Sequence, residues 1–167
     1  MATTCELTVL MALNKIDNFT SDAIDSVLAQ TFENFRLLIV CNGTKASCVA
    51  DWISQNYTDE RISLLITFIP GLATALNLGL SHIDTKYLAR MDADDVSLET
   101  RFEEQVNYLL EHPDIGVLGC DVALIDELGN LLPDKFMHFS THRQIVRWLP
   151  IFNSMCHPAL MFRTKCL

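Results

Sequence analysis

The segment Ile62–Ile83, ISLLITFIPGLATALNLGLSHI, carries no formal charge over its 22 residues and decides between two kinds of fold. An apolar run of this length could cross a bilayer as a single helix. The Pro70–Gly71 pair divides it, and the residues before that pair form a β-type run. After the pair, Leu72, Leu76, Leu80 and Ile83 recur at helical spacing. We therefore predict a strand, a turn and a helix, not a transmembrane span.

The same alternation of continuous apolar runs and amphipathic runs extends on both sides of this segment. Further strands are predicted at Leu7–Leu13, Phe35–Cys41 and Lys86–Met91, and helices from Thr20 or Ser21, over Ala46–Asn56, and from Thr100. Beyond them we predict one or two strands in Asp114–Asp126, a turn at Leu128–Asn130, a helix at His142–Trp148 and a strand at Ala159–Arg163. Four successive βα units with apolar strands predict an α/β fold, a parallel sheet with helices on both faces.

The helix starts have predicted caps. Thr20 or Ser21 can cap the first helix. Thr100 and Glu103 match a capping box, in which each side chain bonds the other residue's backbone N–H. The helix that follows Thr100 carries a stripe that we expect to face the core, namely Phe102, Val106, Leu109 and Leu110.

Length and composition exclude several classes of protein. The chain has 167 residues, half of them hydrophobic, so it can bury a core as one domain spanning residues 1–167. Twelve Lys and Arg against 21 Asp and Glu give a net charge of −9, which repels phosphate backbones, so nucleic acid is not an expected partner. No basic stretch followed by an apolar one begins the chain. We expect a cytoplasmic protein, compatible with peripheral attachment to the inner face of the membrane.

The six cysteines show no C-x-x-C spacing. Several of them lie in apolar runs, as Cys41 does. We therefore expect buried, reduced thiols and neither disulfides nor a zinc site.

Three carboxylates, Asp92, Asp94 and Asp95, follow the predicted fourth strand directly. Ligands of such sheets bind beyond the carboxyl ends of the strands. Carboxylates this close repel one another unless a cation or hydrogen-bond donors offset their charge, and Mg²⁺ or Mn²⁺ suits them. A solvated loop whose aspartates cap the next helix is the alternative. An EF-hand is excluded, because Val96 and Ser97 stand where it needs a ligand and a glycine.

Four segments carry a resemblance to a known family. They are Ser26–Phe32, Gly71–Gly79, Ala89–Asp95 with Arg101–Glu103, and His157–Arg163. In this order and spacing the chain resembles the inverting glycosyltransferases of family two, which have the GT-A fold, a Rossmann-like α/β/α sandwich with a mostly parallel sheet. The resemblance spans nearly the whole chain.

The resemblance implies a donor site for a nucleotide-diphosphate sugar, with a UDP-sugar as the favoured donor. It implies that Asp92 and Asp94 form the D-x-D motif, which contacts the ribose and, through Mg²⁺ or Mn²⁺, the diphosphate. It places Leu13, Asn14, Asn42 and Gly43 around the base, and Asn77 and Arg90 along the nucleotide. The sugar would pass, with inversion, to a glycan or lipid-linked acceptor. From the residues alone, Arg90 could instead form a surface ion pair. Asn77 could instead be an amide on the helix face whose hydrogen bonds are satisfied without a ligand.

Departures from the family pattern leave some functions unassigned. Asn42 stands where an aspartate usually reads the base, and Leu13 where an aromatic residue is usual. The family's general base lies downstream of the His157–Pro158 pair, and the chain ends at Leu167. His157, Asp121 and Asp126 are other candidates, and none is selected.

We accordingly expect weak activity from this chain alone. A nucleotide-binding module without catalysis stays an alternative. So does a sugar nucleotidyltransferase, although residues 14–17 lack the glycine-rich phosphate loop such an enzyme would carry.

Overall fold

The computed structural model describes residues 5–135 and 139–167. The strands are β1 (Leu7–Leu13), β2 (Phe35–Asn42), β3 (Ile62–Thr67), β4 (Tyr87–Met91), β5 (Val117–Leu118), β6 (Ala123–Ile125), β7 (Leu131–Lys135) and β8 (Met161–Arg163). The α-helices are α1 (Thr20–Leu28), α2 (Ala46–Asn56), α3 (Leu72–Leu80), α4 (Arg101–Glu111) and α5 (His142–Trp148). Single 3-10 turns at His157–Ala159 and Thr164–Cys166 flank β8.

Six strands form the central sheet in the order β3-β2-β1-β4-β8-β5. Strands β1 to β4 are mutually parallel, whereas β8 runs antiparallel to both β4 and β5. The predicted parallel sheet is therefore confirmed for the four βα units, and an antiparallel pair extends one edge. Strands β6 and β7 form a separate two-stranded hairpin.

The 62–83 segment folds as β3 followed by α3, with Gly71 at the turn in a positive-φ conformation of 122°. A side chain rarely adopts that conformation, so glycine suits the junction. Within the described residues, no helix is long and apolar enough to cross a membrane.

Helices cover both faces of the sheet, as predicted. The larger core lies between the sheet and the helices α1, α2 and α4, and the smaller one lies between the sheet and α3. Helix α3 packs so closely that a Cβ added at Gly79 would come within 2.3 Å of Leu10 Cδ1. Helix α3 is the crossover from β3 to β4, and the lack of a side chain at Gly79 lets it lie directly against Leu10 of β1.

The predicted helix caps were wrong. Thr20 is the first residue of α1 and its hydroxyl bonds to Asp17, which also accepts from the backbone N–H of Phe19. Thr100 makes no side-chain cap bond to α4, and its hydroxyl donates to Glu104 instead. Glu103 accepts from Thr31 of α1's following turn, so tertiary contacts replaced the capping box.

Two burial predictions were also wrong in part. Leu110 is 52% exposed, whereas Phe102, Val106 and Leu109 are buried as predicted. Of the six cysteines, all of which lie in described residues, only Cys41 is fully buried. Cys48, Cys120 and Cys166 are exposed, and all six are free thiols.

The predicted strand Ala159–Arg163 begins later, at Met161, because a 3-10 turn occupies its start.

Candidate functional site

The carboxyl ends of three parallel strands meet at one edge of the sheet. Leu13 at the end of β1 pairs with Cys41 of β2, and Met11 of β1 pairs with Met91 of β4. Asn42 and Asp92 follow these paired residues directly, so both emerge at this edge. This is the edge at which open α/β sheets bind ligands.

The three aspartates form one cluster at the end of β4. Each of Asp92, Asp94 and Asp95 can offer a carboxylate oxygen, and these oxygens lie within 4.8 Å of one another. Asp94 is exposed and the other two are half-buried. Among the described residues, none donates a hydrogen bond to Asp94 or Asp95. The cluster therefore leaves negative charge open to a ligand.

The pKa of Asp95 is raised above its ordinary value. Burial of the carboxyl is the main cause, followed by repulsion from Asp92 and Asp94. The positive charges of Arg90 and Arg101 act in the opposite direction. A divalent cation would relieve both the repulsion and the burial cost of the charge.

Among the described residues, Arg90 is the cation that forms an ion pair with the cluster. Its side chain is only 4% exposed, and Nη2 forms an ion pair with Asp92 Oδ1. The pair is therefore not the surface ion pair that was the alternative for this residue. The Nε and Nη1 atoms of Arg90 are buried and have no hydrogen-bond partner among the described residues. Buried donors of this kind are normally satisfied, and a bound water or a ligand oxygen could supply the acceptor for these two atoms.

The loop that carries the aspartates is held from behind by the end of α1. Gln30 is 4% exposed, and its Nε2 donates to the carbonyls of Leu98 at 2.7 Å and Ser97 at 3.3 Å. Its Oε1 accepts from the backbone N–H of Phe102 at 3.0 Å. Ser26 Oγ accepts from the N–H of Ser97 at 3.0 Å. Two segments of the sequence resemblance, 26–32 and 101–103, thus meet around the acidic loop.

Arg101 holds the strand end itself. Its Nη2 donates to the carbonyl of Arg90 at 3.1 Å, and its Nε donates to Gln105 Oε1 at 3.2 Å. Burial lowers the pKa of this guanidinium. Sequence reasoning quoted Gln30 and Arg101 inside family segments and gave neither a role, because their partners are backbone atoms that no residue pattern displays.

Asn42 links the ends of three elements. Its side chain is buried, and the amide orientation that satisfies both neighbours donates from Nδ2 to Leu13 O at 3.3 Å and accepts at Oδ1 from Gly71 N at 3.1 Å. Leu13 points its side chain into the larger core. Asn14 and Asn77 are exposed, the former just beyond β1 and the latter midway along α3. The edge thus brings together Leu13, Asn14 and Asn42.

The three candidate bases lie in different surroundings. His157 stands in the 3-10 turn beside β4, where burial and the positive charge of Arg90 lower the pKa of its imidazole. Asp126 accepts hydrogen bonds from the N–H groups of Leu128 and Asn130 at 2.9 and 2.8 Å. That carboxylate closes the predicted turn between β6 and β7. Asp121 is exposed on the approach to β6.

The donor set of the cluster consists of carboxylate oxygens alone, with no cysteine or histidine among the ligand atoms. Oxygen donors of this kind suit hard cations such as Mg²⁺ and Mn²⁺, which keep part of their shell for water and phosphate. The residues present therefore fit the predicted metal. The arrangement can hold a cation between the three carboxylates at the carboxyl end of β4, close to Arg90.

Comparison with known proteins agrees with this fold. The family "Glycosyl transferase family 2" matches residues 9–167. The O-antigen biosynthesis glycosyltransferase WbnJ of Escherichia coli is 35% identical over 159 residues, covering 94% of this chain and 61% of that protein. The bifunctional glycosyltransferase pgtA of Dictyostelium discoideum is 30% identical, over 84% of this chain and 22% of that protein. The chain thus spans less than two thirds of the length of either relative.

Two solved structures share the fold at low sequence identity. The Staphylococcus aureus TarS fragment 1–349 in complex with UDP superposes with a TM-score of 0.69 at 14% identity, over 96% of this chain and 47% of that one. The mannosyltransferase PcManGT of Pyrobaculum calidifontis, in complex with GDP-Man and Mn²⁺, gives 0.65 at 16% identity, over 97% and 45%. The expected GT-A fold is confirmed by these neighbours.

Proposed function

The chain belongs to glycosyl transferase family 2, and on that premise we propose that it binds a nucleotide-diphosphate sugar and transfers the sugar, with inversion, to a glycan or lipid-linked acceptor. The observation that carries the proposal is the cluster Asp92, Asp94 and Asp95 beside the buried Arg90, at the edge where three strands end. A UDP-sugar is the donor we favour. A TarS structure holds UDP-GlcNAc, and the PcManGT structure holds GDP-Man with Mn²⁺.

Asp92 and Asp94, joined by Asp95, would hold Mg²⁺ or Mn²⁺. When bound, such a cation stabilises the negative charge that develops on the leaving diphosphate. Arg90 would orient Asp92 through their ion pair, and its two unpartnered donors would be free to bond a phosphate oxygen if the bound donor reached them. Gln30 holds the loop that follows the aspartates, and Arg101 holds the end of β4 that precedes them. The cluster would therefore be preorganised before the donor binds.

The nucleotide would lie over the strand ends. We propose that Leu13, Asn14 and Asn42 surround the base and that Asn77 lies farther along the nucleotide. Because the Asn42 amide is already engaged by Leu13 O and Gly71 N, it is only partly free to pair with a base. The backbone at Leu13 and Asn14 would therefore share in base recognition. We assign no general base.

Calorimetry tests the donor site. Titrating the chain with UDP, GDP and CDP, each with and without Mn²⁺, should give the tightest binding for UDP with Mn²⁺. Asp94→Asn should weaken that binding at least tenfold, because it removes a ligand charge while leaving the exposed position free of packing. Asp51→Asn, an exposed aspartate on α2, is the matched control and should bind like the parent chain. Equal binding by the two variants would contradict the proposal.

Turnover separates the enzyme from a binding module. Release of UDP from a UDP-sugar, in the presence of Mn²⁺ and lost in Asp94→Asn, supports a transferase. Metal-dependent binding without any UDP release would favour the nucleotide-binding module. The family match speaks against the sugar nucleotidyltransferase alternative.

A further inference from the structure

The segment 139–152, which contains α5 and is called the α5 segment below, has apolar side chains without a core. No residue of α5 is buried. Val146 and Leu149 are each 53% exposed, and Ile151 is 72% exposed. Helices α1 to α4, in contrast, each bury apolar residues against the sheet. The α5 segment keeps its apolar face on the outside.

Three aromatic rings stabilise this segment from within. Phe139, Trp148 and Phe152 lie with their ring centroids 5.9–6.0 Å apart. Trp148 nevertheless remains 36% exposed. The rings thus form a small cluster that holds the segment together and leaves the aliphatic side chains beside it uncovered.

Charge is distributed very unevenly along the chain. Residues 135–167 include five of the twelve Lys and Arg and none of the 21 Asp and Glu. That segment therefore carries +5, and the first 134 residues carry −14. Arg143 and Arg147 lie four residues apart on α5, both exposed, and neither forms a salt bridge with a described residue. The uncovered apolar side chains are thus flanked by unpaired positive charge.

We infer that the α5 segment is a docking surface for an anionic lipid bilayer. Apolar side chains enter the boundary between headgroups and acyl chains, while arginines reach the phosphates and tryptophan suits the interface. The negatively charged bilayer surface would repel residues 1–134, which carry the net negative charge. Charge would therefore orient the domain with α5 toward the lipid. The inference concerns a surface outside the proposed donor site and does not depend on the donor's identity.

Vesicle sedimentation tests this inference with the whole chain. Vesicles of phosphatidylcholine alone should bind it weakly, and vesicles with an equal part of phosphatidylglycerol should bind it strongly. The double variant Arg143→Gln/Arg147→Gln should lose about 25-fold in partitioning, since each basic residue near an anionic surface contributes about fivefold. Ile151→Asn should lose about tenfold through its apolar contribution.

Matched controls keep general charge and surface effects apart from the docking surface. Lys45→Gln/Lys86→Gln removes two exposed cations from the acidic part of the chain, and Leu131→Asn replaces an apolar residue that is 74% exposed on β7. Both controls should bind vesicles like the parent chain. If they lose as much as the α5 variants, the inference is wrong.

Tryptophan fluorescence locates the contact. The chain has two tryptophans, and Trp52 packs against Tyr57 at the side of α2. A blue shift on adding anionic vesicles should persist in Trp52→Phe and vanish in Trp148→Phe. Equal binding to neutral and anionic vesicles, no binding to either, or a stable dimer in solution that buries Trp148 would each overturn the inference.

Discussion

The sheet region, residues 5–118 and 154–167, and the peripheral region, residues 119–134 and 139–153, differ in how much of their surface is buried. In the sheet region strands such as β1 and β2 are buried on both faces, and helices cover them. In the peripheral region none of the described residues is fully buried. Leu128 and Leu131 of the hairpin are 86% and 74% exposed.

The comparison teaches that the two regions suit different kinds of contact. Burial fixes the strand ends of the sheet region, and this is what a donor site with preorganised carboxylates requires. The peripheral region gains little from its own core and exposes apolar surface, which is typical of a surface that meets another phase or molecule. Five experiments compare buried with exposed positions within and between these regions, from the largest expected effect to the smallest.

Thiol reactivity should differ most between buried and exposed cysteines. Cys41 lies in the sheet core, fully buried, and burial raises the pKa of its thiol to about 11. Since the thiolate is the reactive form, Cys41 should react with a thiol reagent at pH 8 more than a hundredfold more slowly than Cys48 or Cys166, which are exposed. Mass spectrometry of peptides after timed labelling measures both rates. Comparable labelling of Cys41 in the folded protein would mean that the sheet core opens readily.

A matched pair of leucine truncations should separate the regions in stability. Leu37 of β2 is fully buried, so Leu37→Ala should lower the free energy of unfolding by about 2–5 kcal/mol. Leu131→Ala in the hairpin should change it by less than about 0.5 kcal/mol. Urea denaturation followed by circular dichroism measures both. Similar losses for the two variants would show that the hairpin is covered in solution.

Arg163 and Arg143 offer the same comparison for arginines. Arg163 donates to the carbonyls of Ile115 at 2.8 Å and His112 at 3.1 Å and to that of Leu109, all at or beyond the end of α4. Arg163→Met should therefore cost about 2–4 kcal/mol, because it leaves buried carbonyls without donors. Arg143→Met should leave thermal unfolding unchanged. If Arg163→Met left the free energy of unfolding unchanged, water would have to satisfy those carbonyls in its place.

Gln30 tests whether the acidic loop depends on the end of α1. Gln30→Ala removes its bonds to Leu98 O and Phe102 N and should cost about 1–3 kcal/mol. It should also weaken Mn²⁺ binding, because the loop loses its support. Gln55→Ala, an exposed glutamine in α2, is the control and should alter neither quantity. If Gln30→Ala were destabilised but bound Mn²⁺ with unchanged affinity, the metal ligands would not depend on the support that Gln30 gives the loop.

Sequence reasoning predicted elements in both regions: the buried strands β1 to β4 in the sheet region and, in the peripheral region, helix α5 with its observed bounds His142–Trp148. Residues that lie in continuous buried runs, such as those of β1 and β2, reveal their place through hydrophobicity alone. The acidic cluster was also predictable, because it directly follows an apolar strand. Polar contacts were not: Gln30 and Arg163 bond to backbone carbonyls that are remote in sequence, and no pattern of residue types reports such partners. For the same reason the capping box at Thr100 was predicted and did not form.

The smallest effects should arise at the helix caps, which differ between the two regions. Thr141 caps α5 by accepting from the backbone N–H of Gln144 at 3.4 Å, whereas Thr100 makes no such bond to α4. Thr141→Ala should remove about 1 kcal/mol of local stability. Because α5 buries no residue, that loss should appear as amide exchange about fivefold faster at Gln144 and Ile145, with global unfolding unchanged. Thr100→Ala should leave exchange in α4 as it is, since packing on the sheet holds that helix. Faster exchange throughout α4 in Thr100→Ala would show that its cap, and not its buried face, determines where the helix begins.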